Sequence, residues 1–178
     1  PFDIPTFWTW CRLGEIANIY NGNSINETEK AQRYTGLTFG YNFIATKDVG
    51  FDCRINYNNG VRIPLDLDKF KKAPKNSVLL CIEGGSAGKK IAITEETVCF
   101  GNKLCAFVPL VVQIRFIYFF LQSPIFASIF KSNVSGIIGG VSINRLKEMY
   151  IPIPPLLEQK RIVSMLDCLL NFIKNFSY

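Results

Sequence analysis

The chain has 178 residues, 48% of them hydrophobic and 15 of them phenylalanine, which is enough for one domain with a sizeable core and too apolar for a disordered segment. Its formal charge of +6 is a modest basic excess that leans toward a polyanionic partner. It has no histidine, which excludes a histidine-dependent triad and a mixed Cys/His zinc site and removes the commonest general base.

Residues 1–10 read as an extended arm carrying Phe2, Phe7, Trp8 and Trp10. Leu13, Ile16, Ala17 and Tyr20 follow at helical spacing, with Gly22 placed to close that helix. Residues 21–40 are polar and contain glycine, which predicts a loop. Strands are predicted over 41–46 and 61–63, with a tight turn at Asn58-Asn59-Gly60 between strands. A short helical turn follows over 65–70, then a buried strand over the continuous apolar run 78–82. Gly84-Gly-Ser-Ala-Gly88 is a turn, and residues 90–94 and 104–108 read as strands. Helices are predicted over about 111–122 and 125–132, split at Pro124, then a second glycine-rich loop over 133–142 and a short helix holding Leu146 and Met149.

Three prolines at 152, 154 and 155 fix an extended lead-in, because each locks φ and removes a backbone donor. The chain then switches to a helix. Ile162, Leu166, Leu169, Ile173 and Phe176 recur at steps of four, three, four and three, an average of 3.5 that suits a seam for a partner helix. A helix docked on its own domain shows a similar stripe. Mixed strands and helices in one unit, ending in a coiled-coil-type helix, make the fold class α+β, with a domain over 1–154 and the helix over 155–178.

The six cysteines, at 11, 53, 81, 99, 105 and 168, form no C-x-x-C pair and read as buried free thiols in a reducing cytoplasm. No signal peptide opens the chain, and a start at Pro1 fits an excised segment. The most hydrophobic stretch, 107–130, is interrupted by Gln113, Arg115, Gln122 and Pro124, so it reads as buried helices and not as a membrane span.

Catalytic motifs are wanting. Gly84-Gly-Ser-Ala-Gly-Lys-Lys90 has three residues, not four, between Gly84 and Gly88, lysine where a phosphate loop needs a hydroxyl, and a strand after it where that loop needs a helix. A glycine turn bearing two lysines still allows close approach to a nucleic-acid backbone; an exposed hairpin without a partner is the plainer alternative. Glu158-Gln-Lys160 matches only the tail of a nuclease set, and the cofactor loop and the Asp/Asn-Pro-Pro-Tyr motif of methyltransferases are missing. The sequence predicts no enzyme, no cofactor and no metal. The second loop, Ser132-Asn-Val-Ser-Gly-Ile-Ile-Gly-Gly-Val-Ser-Ile-Asn144, is either a recognition loop or a mobile linker.

Pro1-Phe-Asp-Ile-Pro-Thr-Phe-Trp-Thr-Trp-Cys-Arg-Leu-Gly-Glu-Ile16, followed by Asn21-Gly-Asn23, resembles the start of a target recognition domain of the specificity (S) subunits of Type I restriction–modification enzymes. Ile151-Pro-Ile-Pro-Pro-Leu-Leu-Glu-Gln-Lys-Arg-Ile-Val163 is similar to the sequence that joins such a domain to its conserved helix. Residues 41–55, 78–93 and 136–146 fall where that family has its strand and loop motifs. Two departures stand out: Glu83, where arginine or lysine is more usual, and Ile137-Ile138, where polar residues are. A carboxylate at 83 suits a cytosine amino group or a purely structural role.

The resemblance implies one half of a cytoplasmic specificity subunit. It would read half of a split site in double-stranded DNA, dock modification (methyltransferase) subunits and a restriction subunit, and pair through its helix with a second recognition domain or a second copy. On that reading Lys89, Lys90, Lys103 and Arg145 are candidates for phosphates, and Asn23, Ser24, Ser86, Asn133, Ser135 and Ser142 lie nearer the bases. The alternative is an assembly module that docks a partner through its helix and binds no DNA.

Overall fold

Four consecutive apolar residues, Val78-Leu-Leu-Cys81, are fully buried because both faces of the strand they form are covered. The computed structural model describes residues 3–137 and 139–176, so Phe2 of the arm and Ile138 of the second loop lie outside the described residues. In chain order the elements begin β1 (Thr9–Arg12), α1 (Leu13–Ile16), β2 (Ala17–Asn21), α2 (Glu27–Glu29), β3 (Tyr41–Ile44), β4 (Arg62–Ile63) and β5 (Lys72–Ala73). They continue β6 (Val78–Cys81), β7 (Ile91–Ile93), β8 (Val98–Phe100), β9 (Leu104–Pro109), α3 (Ile114–Phe120), α4 (Pro124–Ser132), α5 (Ile143–Glu148), β10 (Tyr150–Ile153) and α6 (Leu156–Phe176).

An antiparallel sheet in the order β2-β9-β6-β7 is the middle layer. Alternation sends Val78 and Leu80 to one side, where Phe116, Ile117, Phe126, Phe130 and Leu146 of α3, α4 and α5 cover them. Leu79 and Cys81 face the other way, onto Ile44, Ala73, Val98 and Phe100 of a second sheet, β4-β3-β8-β5, in which β3 and β8 run parallel. A third cluster of Tyr34, Phe43, Val61, Ile63, Phe70 and Cys99 seals the outer face of that sheet. The α+β expectation holds: mixed sheets and helices lead into one long C-terminal helix.

The helix predicted from Leu13 to Tyr20 is a single turn, α1; from Ala17 the backbone is extended and β2 pairs with β9 over its whole length. Ala17 and Ile19 are buried while Asn18 is exposed, so these residues fit a period of two, and five cross-strand partners decide between the two periods. Gly22 ends a strand and not a helix. A Cβ there would sit 1.9 Å from the Phe100 carbonyl oxygen, so the close passage of two backbones requires glycine. The loop predicted over 21–40 holds α2, capped by Asn26 accepting from the Glu29 amide, and a π-helical turn at Lys30–Tyr34. Strands β5 and β8 escaped the sequence reading, whereas β1 and β10 overlap the segments read as an extended arm and an extended lead-in. Pro152 is tolerated in β10 because that strand pairs only with β1, leaving an edge where no donor is needed.

All six cysteines are free, and burial pushes up the thiols of Cys81, Cys105 and Cys99, the last to about 11. Among the described residues no helix is long and apolar enough to cross a membrane.

Replacing Gly22 by alanine should destabilise the fold by about 2 kcal/mol, read as a melting temperature lower by roughly 4–8 °C. In native protein at pH 8, a maleimide should label the exposed Cys168 quickly and reach Cys99 and Cys105 only after denaturant is added.

Candidate nucleic-acid interface

The register of the middle sheet gathers distant loops at one end. Cys81 lies across from Leu104, Leu80 from Cys105 and Ile91, and Asn21 from Cys105. The segments that run on from those positions, 21–24, 82–90 and 101–103, therefore emerge side by side. They carry Asn23, Ser24, Ser86, Lys89, Lys90 and Lys103. The second glycine-rich loop joins them through backbone bonds from Gly84 N to Gly139 O (2.8 Å) and from Val141 N to Ile82 O (3.0 Å).

Within the first turn the Ser86 carbonyl accepts from the amides of Lys89 (3.0 Å) and Lys90 (3.3 Å). The two lysines then diverge. The Lys89 ammonium lies back over Gly85 O at 3.4 Å, whereas Lys90 donates to Thr46 O at 3.1 Å and stands 5.1 Å from the centre of the exposed Phe51 ring. Lys103 pairs with Glu83 at 3.6 Å, which gives the unexpected carboxylate a partner inside the chain.

Beside these cations lies a cleft of about 340 Å3 with a mixed lining, in which Asn23, Ser24, Lys30, Lys47, Asn102 and Lys103 stand with Ile25 and Phe43. Glu27 faces Lys30 there, and the hydrogen bond from that ammonium holds the Glu27 carboxyl below its usual range. Asn23 is a bracket. Its amide nitrogen donates to Lys69 O (3.1 Å) and its oxygen accepts from Lys71 N (2.7 Å), tying a lysine-rich segment to the cleft. Lys30, Lys47, Lys69 and Lys71 were not singled out from the sequence; the run Lys69-Phe-Lys-Lys-Ala-Pro-Lys75 was the available signal for the last two.

The other candidates hold the second loop in place. The Ser142 side chain caps α5 by accepting from the Arg145 amide (3.3 Å). Arg145 donates to Asn133 O (3.0 Å), and the Asn133 side chain donates to Ile129 O (2.9 Å) at the end of α4. Arg145 and Asn133 border an apolar groove of about 940 Å3 that includes Ile125, Ile129, Met149 and Tyr150. Ser135 is exposed, and its backbone exchanges hydrogen bonds with Gly140. Among the described residues no group of three or more His, Cys, Asp or Glu side chains is arranged to hold a metal.

Helix α6 is docked by its first half. Gln159 is buried; its oxygen accepts from the Gln113 amide (3.1 Å) and its nitrogen donates to Pro154 O (2.9 Å). Val163 is buried, Ile162 packs at the edge of the first core, and Asp167 pairs with Arg115 of α3. Further along the seam Leu166 is half-buried, while Leu169 and Ile173 are exposed, with Leu157, Met165, Leu170 and Phe172 also exposed around the helix. The side chain of Phe176 lies outside the described residues.

The family described as Type I restriction modification DNA specificity domain matches residues 5–175. The Type I restriction enzyme EcoAI specificity subunit of Escherichia coli is 24% identical over 192 residues, covering 100% of this chain and 31% of that protein. The same fold recurs in a chain from a structure described as the structural basis underlying complex assembly and conformational transition of the type I R-M system, with a TM-score of 0.78 at 24% identity, covering 98% of this chain and 41% of that one. It recurs in the crystal structure of the HsdS subunit from Thermoanaerobacter tengcongensis, with a TM-score of 0.74 at 24% identity, covering 98% of this chain and 40% of that one. The chain thus spans about a third of the curated relative and about two fifths of the solved chains.

Proposed function

The chain belongs to the family of Type I restriction modification DNA specificity domains, and we propose that it is a target recognition domain that reads one half of a split site in double-stranded DNA and performs no catalysis of its own. The observation that carries this reading is the sheet register, which delivers two glycine turns and the ammonium groups of Lys89, Lys90 and Lys103 to one end of the molecule. Ammonium groups on short turns suit phosphates, and their contribution is independent of base sequence. Polar residues of the same end, Ser24, Ser86 and Ser135, supply hydroxyls for base edges. Asn23, Asn133, Ser142 and Arg145 support this surface by holding its segments in place, and Arg145 remains a candidate for phosphate.

On this reading residues 1–154 are the recognition domain and 155–178 begin a spacer helix. Exposed apolar residues of α6 would pack on a second recognition domain or a second copy, and on modification subunits, with the restriction subunit joining that cytoplasmic assembly. Those exposed residues equally favour a second reading, an assembly module without DNA contact.

Titration of a labelled duplex pool with a randomised core, followed by fluorescence anisotropy at several salt concentrations, separates the two. The recognition reading expects binding whose log K falls linearly with log salt, with a slope shallower by about two units in a Lys89→Ala, Lys90→Ala double variant. An unchanged slope removes both lysines from the interface. Absence of binding by the parent chain at low salt, with α6-dependent self-association intact in sedimentation, selects the assembly module.

A further inference from the structure

The cleft shared by Lys30, Lys47 and Lys103 lies where three segments leave the sheets in one direction. Strands β3 and β8 run parallel, and the segment after β2 joins them through a parallel bridge between Asn23 and Gly101. Gly101 N donates to Ile44 O and Asn23 N to Phe100 O, both at 2.9 Å. The stretches that follow, 23–25, 45–47 and 101–103, line the cleft. Two of its cations act on one anion. The Lys30 ammonium donates to the Glu27 carboxylate at 2.6 Å, and Lys47 adds a weaker attraction on the same group, so the Glu27 carboxyl stays below its usual range. The Glu27 side chain is 85% exposed, whereas that of Lys30 is largely covered. Lys47 is exposed and forms no ion pair among the described residues.

The cations continue on both sides of the cleft. Lys90 reaches its rim by donating to Thr46 O at 3.1 Å. On the other side the Asn23 side chain holds the Lys71 amide at 2.7 Å, and the Lys71 ammonium donates to Asn21 O at 3.0 Å. A single small anion needs only a few of these groups; a row suits a polyanion. Ile25 and Phe43 in the lining offer nothing to an inorganic ion, but they suit the apolar edge of the sugar that accompanies each phosphate of a nucleic acid.

We propose that this cleft is a second holding point for the sugar–phosphate backbone of DNA, apart from the glycine turns, with Lys30 and Lys47 as the positioning residues that grip it. The inference rests on the reading of this chain as a DNA-recognition domain. A phosphate takes the place that the Glu27 carboxylate occupies in the free protein, and Glu27 swings into water. Contacts of this kind set the register and orientation of the duplex and carry no base preference of their own.

Selection from a duplex pool with a randomised core supplies a test duplex. On it, a Lys30→Gln, Lys47→Gln double variant should show a log K versus log salt slope shallower by about two units, with the selected motif kept. Combination with Lys89→Ala and Lys90→Ala should flatten the slope by about four units in all. Phosphate-ethylation interference should lose one cluster of phosphates in the Lys30/Lys47 variant and a different cluster in the Lys89/Lys90 variant. Glu27→Gln should tighten binding about threefold, a gain that misfolding cannot produce. Glu158→Gln, which removes a carboxylate paired with Arg161 on α6, should leave the affinity as it was. An equal gain in Glu158→Gln reduces the effect to net charge and overturns the proposal. An unchanged slope and interference pattern in the Lys30/Lys47 variant also overturns it, and leaves the recognition reading standing if the Lys89/Lys90 variant responds. Inorganic phosphate tests the other source of the same chemistry. If millimolar phosphate raises the melting temperature of the parent but not of the Lys30/Lys47 variant, while their duplex slopes agree, the cleft is a small-anion site and the DNA assignment is wrong. If the parent binds no duplex, the recognition reading itself falls and takes this inference with it.

Discussion

The antiparallel register of β2, β9, β6 and β7 is the constraint on which the rest depends. Because both faces of that sheet are buried, one under helices and one under the second sheet, neither face is available for a ligand. Chemistry on this scaffold is confined to the ends of the strands and to the outer surface of the layers. The register then determines which segments share an end. A slip of one residue in β6 would move Val78 and Leu80 from the helix side to the sheet side and shift the lysine turn relative to Lys103. Packing of the core and placement of the loops are therefore one requirement.

Charge at this end of the sheet is partly held in reserve. Lys103 is engaged with Glu83 and Lys30 with Glu27; the first pair is open to water, whereas the Lys30 side chain is largely covered. An exposed pair such as Lys103–Glu83 contributes about 0–1 kcal/mol, so an incoming anion could replace the Glu83 carboxylate at small cost. Glu83 then acts in the free protein by keeping Lys103 beside the glycine turns, a role consistent with its position on the bridge to Gly140. Among the described residues Lys89 pairs with no carboxylate and rests on the Gly85 carbonyl.

The buried strand at 78–81 and the two glycine turns were legible in the sequence because each has a local cause: a continuous apolar run in one case, residues suited to positive φ in the others. Residues 13–20 were misread because the helical spacing of Leu13, Ile16, Ala17 and Tyr20 hides the shorter alternation of Ala17, Asn18 and Ile19, and the arbiter, β9, lies some ninety residues away in sequence. Strands β5 and β8, two and three residues long, carry too little pattern to see. At the candidate site, residue type picked out segments that the sheet register brings together but not what each side chain does there. Asn23, Asn133 and Ser142 are polar for the sake of the backbone they hold, and no sequence pattern separates that duty from base contact.

The same separation explains the terminal helix. Its 3.5-residue ladder starts at the edge of the core with Ile162 and reaches the exposed flank of α6 at Leu169 and Ile173. The residues that dock α6 are Gln159, Val163 and Asp167, spaced at four and recording a different face. Two of those three contacts are polar, and Gln159 satisfies a backbone donor and a backbone acceptor at once in a buried setting, where an unmade bond is costly. A polar clamp of that kind specifies one angle of departure, which a purely apolar contact would leave free to slide. Leu169 and Leu170 stay exposed beyond the docked half, so a helix packed on them would inherit a fixed direction to the sheet end that bears the lysines. On the recognition reading proposed above, a domain that presents its loops to a duplex at a set distance from a second reader would gain more from that rigidity than from additional area of contact between helix and domain.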